Sequence, residues 1–225
     1  MPIPRITPYR MPTAAQLPGS TAGWRPDPER SVLLVHDMQR YFVDFLPAGR
    51  SPTTALLGNI ARTRRVAVDR GMPVVYTAQP GRMSRADRGL LHDLWGPGMA
   101  DDGRSRAIVP ELAPAPGDLM ITKSRYSAFH RTPLVAELAR MGRDQLVICG
   151  VYAHIGCLLT AADAFAHDIQ AFVIADAVAD FGLREHLMAL EYAAGRCAVT
   201  MTVDQWVRAQ LSNVPLSSSG PDCGE

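Results

Sequence analysis

The chain has 225 residues, a formal net charge of +1 and 47% hydrophobic residues. That length and apolar content suit one large α/β domain with a sizeable core, and the near-neutral balance gives no global field for nucleic acid or a membrane surface. No stretch reaches the roughly 20 apolar residues of a membrane span, and no basic start leads into an apolar secretory segment.

Residues 1–30 are rich in proline and carry little periodicity. They are expected to form an extended arm lying on the domain. Short apolar runs follow at Val32–His36, Pro73–Gln79, Leu119–Lys123, Gln145–Gly150, Ala171–Ala175 and Ala198–Thr202, and each reads as a strand. Between the first two, residues 54–70 place apolar side chains at helical spacing and stop at Gly71, a C′ glycine. Thr132 and Pro133 supply an N-cap and a first-turn proline, and Gly142 closes that helix. Residues 155–167, 184–196 and 204–211 also read as helical. Strand and helix in repeated alternation predict a parallel sheet with helices on both faces. Runs such as SVLLVHD and QLVICG are continuously apolar, as buried parallel strands are. The domain is expected to span 31–211, with a disordered tail over 212–225.

Polar residues gather where the strands end. Strand one ends in His36-Asp37, strand two in Ala78-Gln79 and strand three in Thr122-Lys123, while strand four runs through Gly150 into Val151-Tyr152. That edge is where open α/β sheets bind ligands. Lys123 is the only lysine among 23 Lys and Arg residues. Arginine can replace lysine on a solvated surface, but not where a compact ammonium is needed, so Lys123 is expected in a site with Asp37 and Gln79. DMQRYF is bulky where a Gly-rich phosphate loop would follow strand one, which argues against a dinucleotide or P-loop site. His36, His92, His130, His154, His167 and His186 form no HExxH or comparable pair, and no metal is expected. There is no GxSxG elbow. Cys149, Cys157, Cys197 and Cys223 form no CxxC pair, which reads as free thiols in a reducing cytoplasm.

The segments LLVHDMQRYF, YTAQPG, RGLLHDLWGPGM, TKSRYSAF, GVYAHIGC, ADAVADF and EHLMALEYAAGRCA run in that order across residues 30–205. Together they resemble the isochorismatase family, and IPRITPYRMPTAAQLP resembles the arm of those enzymes. The resemblance implies a Rossmann-like, three-layer α/β/α sandwich with a six-stranded parallel sheet, usually as a homodimer. It implies a small chorismate-derived substrate and release of pyruvate without metal or organic cofactor. The nearest branch is the phenazine-type one, which acts on 2-amino-2-deoxyisochorismate; isochorismate is the alternative. Asp37 matches the family's catalytic acid and Lys123 its partner. Gln79, Arg88, Trp95 and Tyr126 match positions lining the substrate pocket. Tyr152 and Gly156 match the turn after strand four, where the family holds a non-proline cis peptide.

Nicotinamidase-like cysteine hydrolases resemble the chain around GVYAHIGCLLTAADA. Aligning Gly150 and the Thr160–Ala164 stretch puts Gly156 at their nucleophile position and Cys157 one residue on. One step along a helix turns a side chain by about 100°, so Cys157 is expected to pack in the core; a cysteine amidohydrolase is a rival reading, as is a non-catalytic binding module on the same fold. The AQPG segment also lacks metal-binding histidines.

Hydrolysis of a vinyl ether needs no nucleophile. Protonation of the terminal methylene gives an oxocarbenium ion, water adds, and the hemiketal collapses to pyruvate and the ring alcohol. Asp37 is the expected general acid, its pKa raised by burial, with Lys123 pulling the other way by favouring the carboxylate. Gln79 and Arg88 are expected to grip substrate carboxylates, and Phe42 and Trp95 to form walls that exclude water. Strand alternation should point the His36 side chain away from Asp37 as a packed histidine.

Overall fold

The computed structural model describes residues 3–212. Strands β1 (Ser31–His36), β2 (Val74–Ala78), β3 (Leu119–Thr122), β4 (Gln145–Val151), β5 (Gln170–Ala179) and β6 (Ala198–Met201) form one sheet in the order β3-β2-β1-β4-β5-β6. Every neighbouring pair is parallel. The helices are α1 (Arg40–Val43), α2 (Thr53–Asp69), α3 (Arg85–Arg88), α4 (Leu91–Trp95), α5 (Gly103–Arg106), α6 (Leu134–Arg140), α7 (Leu158–Ala166), α8 (Leu183–Arg196) and α9 (Val203–Ser212).

Side chains of the central strands divide between two apolar layers. Leu33, Val35, Tyr76, Val147 and Phe172 pack on one side with Leu56, Ile60 and Trp206, from α2 and α9. Val32, Leu34, Val75, Leu146 and Val173 pack on the other with Leu138, Ala161 and Leu190, from α6, α7 and α8. Both faces of the sheet are covered, which is why β1 and β4 are apolar almost without interruption.

Local signals ended the helices where expected. After α2, Gly71 has φ 68°, its amide donates to Val68 and the Met72 amide donates to Ala67, both at 2.9 Å. After α6, Gly142 and Arg143 bond Ala139 and Leu138 in the same way. Both are Schellman closures, which need the left-handed conformation that glycine adopts without a Cβ penalty. The start of α6 differs by one residue, since the Thr132 hydroxyl accepts from the Leu134 amide at 3.3 Å and Pro133 stands at the cap. The expected helix from 155 begins instead as a wide π-type turn over Ala153–Cys157 before α7. Helices α3 to α5 have four or five residues each, too short to show a hydrophobic period.

The fifth strand outruns its apolar signal. A register shift between Ile148 and Gly150 pairs Gly150 with Val178, and β5 continues to Ala179. Gly150 has φ 120°, and a Cβ there would meet the His36 carbonyl oxygen at 2.1 Å. Only glycine lets β4 pass so close to the end of β1.

Residues of the N-terminal segment lie along the domain. Ile6 is buried and its amide donates to Phe45 at 3.0 Å. The Tyr9 hydroxyl accepts from the Asp180 amide at 2.8 Å and lies 3.1 Å from His186 Nδ1. Beyond Ser212, the expected tail and Cys223 lie outside the described residues. Among the described residues no helix is long and apolar enough to cross a membrane.

Candidate active site

The carboxyl ends of β1, β2 and β3 deliver an acid, a hydroxyl, an amide and an ammonium to one point. Asp37 follows β1 directly and has φ 50°. The Lys123 ammonium lies 2.7 Å from Asp37 Oδ2, and the two side chains are 1% and 5% exposed. Lys123 also donates to the carbonyls of Arg125 at 2.9 Å and Tyr126 at 3.3 Å. Gln79 Nε2 donates to Asp37 Oδ2 at 3.2 Å. The Thr77 hydroxyl donates to Asp37 Oδ1 at 2.6 Å and accepts from the Asp37 amide at 3.1 Å. Gln39 fixes the next residue along, accepting from the Gln79 amide at 2.7 Å and donating to its carbonyl at 2.9 Å.

These contacts set the charge of Asp37. Burial pushes its pKa up, but the Lys123 charge pulls it down, joined by hydrogen bonds from Lys123 and Thr77. The balance holds the carboxyl below its usual range. This corrects the expectation that burial would raise it. An ammonium in contact favours the carboxylate more than the apolar surroundings disfavour it.

All the site residues picked from the sequence line a single cavity, Asp37, Gln79 and Lys123 among them. Arg88 is buried, and its Nε donates to the Gly96 carbonyl at 2.6 Å. Its guanidinium lies over Gly98, where a Cβ would come within 2.5 Å of Cζ. Burial lowers its pKa, and the groups that act on it electrostatically are Tyr41, Tyr126 and Arg125, none of them an acid. A desolvated cation without an acidic partner is costly, and an anionic ligand group would offset that cost.

Aromatic side chains form the walls. Trp95 Nε1 donates to the Tyr126 hydroxyl at 2.6 Å, and the Trp95 ring meets Phe181 edge-on at 6.0 Å. Tyr152 donates its hydroxyl to the Phe42 carbonyl at 2.6 Å, and its ring stands against Phe42 and Phe181. That hydroxyl is therefore held within the wall. The Val151–Tyr152 peptide is cis, and the turn that follows carries Gly156 into the lining.

Several residues of the site carried no sequence signal of their own. Thr77 lies within the quoted YTAQPG segment, two residues before Gln79 and so on the same strand face, which was the one available clue. Ile3, Tyr41, Ile155 and Phe181 reach the cavity from four separate segments.

His36 sits beside the site, not across the sheet from it. Its ring is fully buried, with Nδ1 2.9 Å from the Val151 carbonyl and Nε2 3.3 Å from that of Tyr126. The left-handed turn at Asp37 ends the strand alternation, so both side chains meet the cavity, 3.9 Å apart. Burial above all lowers the His36 pKa to about 4, and the same cause takes His186 to about 4. Both rings are therefore neutral in the folded protein at neutral pH, while they charge near pH ~6.5 when unfolded. A depressed folded pKa contributes stability above the unfolded value that is lost as pH falls towards the folded one. Urea unfolding should therefore show a loss of roughly 2 kcal/mol per histidine between pH ~7 and ~5. His36→Asn or His186→Asn should flatten that slope.

Cys157 packs in the apolar layer beside Leu158 and Ala161. Burial raises its thiol well above the usual value. A thiol kept protonated and away from the cavity is a poor nucleophile. Among the described residues no group of three or more His, Cys, Asp or Glu is placed to hold a metal ion.

The isochorismatase domain family matches residues 31–205. The chain is 55% identical over 215 residues to an isochorismatase of Bacillus subtilis, spanning 96% of this chain and 69% of that protein. It is 54% identical over 205 residues to the phenazine biosynthesis protein PhzD of Pseudomonas fluorescens, spanning 91% and 98%. Among solved structures it is similar in fold to a cysteine hydrolase from Pseudomonas syringae pv. phaseolicola, with a TM-score of 0.77 and 24% identity over 87% of this chain and 98% of that one.

Proposed function

Because this chain belongs to the isochorismatase family of hydrolases, we propose that its cavity hydrolyses the enolpyruvyl ether of 2-amino-2-deoxyisochorismate. The products are trans-2,3-dihydro-3-hydroxyanthranilate and pyruvate, in a phenazine-type pathway. One observation carries this reading. A buried Asp37–Lys123 pair faces a cavity that also holds Arg88 without an acidic partner. An acid beside unneutralised positive charge suits a dicarboxylate that must be protonated on carbon.

In the free enzyme Asp37 is ionised. Two substrate carboxylates entering the cavity add like charge and favour its protonated form. Arg88 and Gln79 bind those carboxylates, Arg88 by its free guanidinium nitrogens. Asp37 then gives its proton to the terminal methylene, and the C=C electron pair forms the new C–H bond. Electron density from the ether oxygen fills the deficit as an oxocarbenium ion. Water adds to that carbon and loses a proton, and the hemiketal C–O bond breaks to leave pyruvate and the ring alcohol. Lys123 orients Asp37 and steadies the carboxylate left behind. Phe42, Trp95, Tyr126 and Tyr152 exclude bulk water, and Gly156 completes the lining beside them.

Isochorismate is a second reading, because identity to the Bacillus subtilis isochorismatase equals that to PhzD within one percent. Buried free thiols at Cys149, Cys157 and Cys197 support a cytoplasmic enzyme. Exposed Leu159, Phe165, Met188 and Tyr192 on α7 and α8 support a homodimer.

The test is pyruvate release from both rings in parallel, with EDTA and with Asp37→Ala as controls. Release that survives EDTA and vanishes in the variant supports the reading, and the ratio of kcat/KM names the ring. No release from either ring overturns it. Arg88→Gln should raise KM by about 10–10²-fold, as loss of a charge-assisted hydrogen bond worth roughly 1.5–3 kcal/mol implies. An unchanged KM would remove Arg88 from carboxylate binding. Because Asp37 ionises below the usual range, kcat/KM should fall about tenfold per pH unit above pH ~5. A flat profile there would mean that the protonated free enzyme is not the active form.

A further inference from the structure

We propose that His36 and Gly156 are a matched pair: the His36 ring occupies the space that a side chain at position 156 would need, and it ties the end of β1 to the turn after β4 beside the cavity. The inference makes His36 a positioning residue and rests on the hydrolase reading of the site.

A Cβ built on Gly156 would stand 2.1 Å from His36 Cε1, 2.8 Å from Nε2 and 3.0 Å from Nδ1. The obstacle is a ring edge, anchored through Nδ1 at the Val151 carbonyl. It is completely buried, and its nitrogens face the carbonyls of Val151 at 2.9 Å and Tyr126 at 3.3 Å. The backbone itself does not require glycine here. Gly156 is absent from the positive-φ residues, whereas Gly150 needs its φ of 120°. Packing against the imidazole is what excludes a side chain at 156.

The ring's own chemistry supports the tie. A neutral imidazole has one N–H for two facing carbonyls. The shorter contact makes Nδ1 the donor, to the carbonyl of the cis Val151–Tyr152 peptide. The Tyr126 carbonyl has another donor in the Lys123 ammonium at 3.3 Å. One side chain thus bonds the end of the strand that carries Asp37 to the turn that carries Tyr152 and Gly156, and its other edge packs against the segment that carries Tyr126. The charged groups facing it are Asp37 and Lys123. A serine or cysteine at 156 would put its β-carbon into the ring, so this histidine keeps the turn after β4 free of a nucleophile and leaves the cavity to acid chemistry.

The test is a double-mutant cycle of Gly156→Ala and His36→Val, read by Tm and by kcat/KM for pyruvate release. Valine ends short of Cε1 and vacates the space in question. Gly156→Ala alone should lower Tm on the order of 5 °C through overpacking. The double variant should melt above Gly156→Ala and lose less than the sum of the singles. Additive losses would overturn the pair. His36→Asn keeps a donor at the Nδ1 position and should retain at least tenfold more kcat/KM than His36→Ala, with the pH limb of kcat/KM unmoved. Loss of that limb would make His36 an acid or base and overturn its positioning role. Should the wild type release no pyruvate, the function falls, while the Tm cycle still decides the pair.

Discussion

Lys123→Met should destabilise the fold by about 3–5 kcal/mol at pH ~7, the cost of leaving a buried charge without its partner. For a chain of this size that is a fall in Tm of roughly 6–20 °C. Asp37 is the group left stranded, since its carboxylate depends on an ammonium 2.7 Å away at a point where both side chains are almost wholly buried. The pH dependence gives the sign. Lys123 holds the Asp37 pKa below its unfolded value, so the pair contributes stability above the unfolded pKa of ~3.9 and loses it as pH falls through the folded one. The gap between wild type and variant should therefore close in acid. With Lys123 gone, burial becomes the dominant influence and Asp37 titrates upward. Asp37→Asn/Lys123→Met should recover most of the lost stability, because the stranded charge goes with the second substitution. A single variant as stable as wild type at neutral pH would mean that the carboxylate finds water or another donor. Lys123→Arg should not substitute, because a planar fork does not fit a point-charge contact held between two carbonyls.

Asp37→Asn should lower kcat for pyruvate release by about 10²–10⁴-fold, the contribution of a positioned general acid. The substitution is nearly isosteric, and an amide can still meet the Thr77 hydroxyl, the Gln79 amide and the Lys123 ammonium. Loss of rate should come with the fold retained, as circular dichroism would show, while Tm falls because the buried Lys123 ammonium loses its carboxylate partner. Retention of more than a tenth of wild-type kcat would remove Asp37 from proton transfer. Comparison with Thr77→Val separates proton donation from positioning. Removing the 2.6 Å hydrogen bond to Oδ1 should cost activity but leave the pH limb in place.

The placement of the acid explains why the fold can host this chemistry. Four strands end at one edge, and the residue after each strand faces the same cavity or its rim. Asp37 leaves β1 through a left-handed turn, Lys123 leaves β3, and the cis peptide turns the chain after β4. Gly156, expected from the sequence to stand at the nucleophile position of nicotinamidase-like cysteine hydrolases, packs against His36. Cys157, the next residue, faces the apolar layer. Successive residues of this turn point in different directions, which separates the two outcomes.

The elements themselves were legible from the chain. The six apolar runs became the six strands, and Gly71 and Gly142 closed their helices, because burial on both faces and left-handed caps are written in neighbouring residues. Asp37, Gln79 and Lys123 could be picked from strand ends and from a lone lysine, while Arg88, Trp95, Tyr126, Tyr152 and Gly156 came from resemblance and gained a common cavity only in three dimensions. What no local pattern contains is distance between remote segments. Thr77 reaches Asp37 across 40 positions and His36 reaches Val151 across 115. Ile3 joins the lining from the arm. The direction of the Asp37 pKa was misjudged from sequence for the same reason: burial acts through composition, which the chain displays, whereas an ion pair acts through separation, which only packing decides.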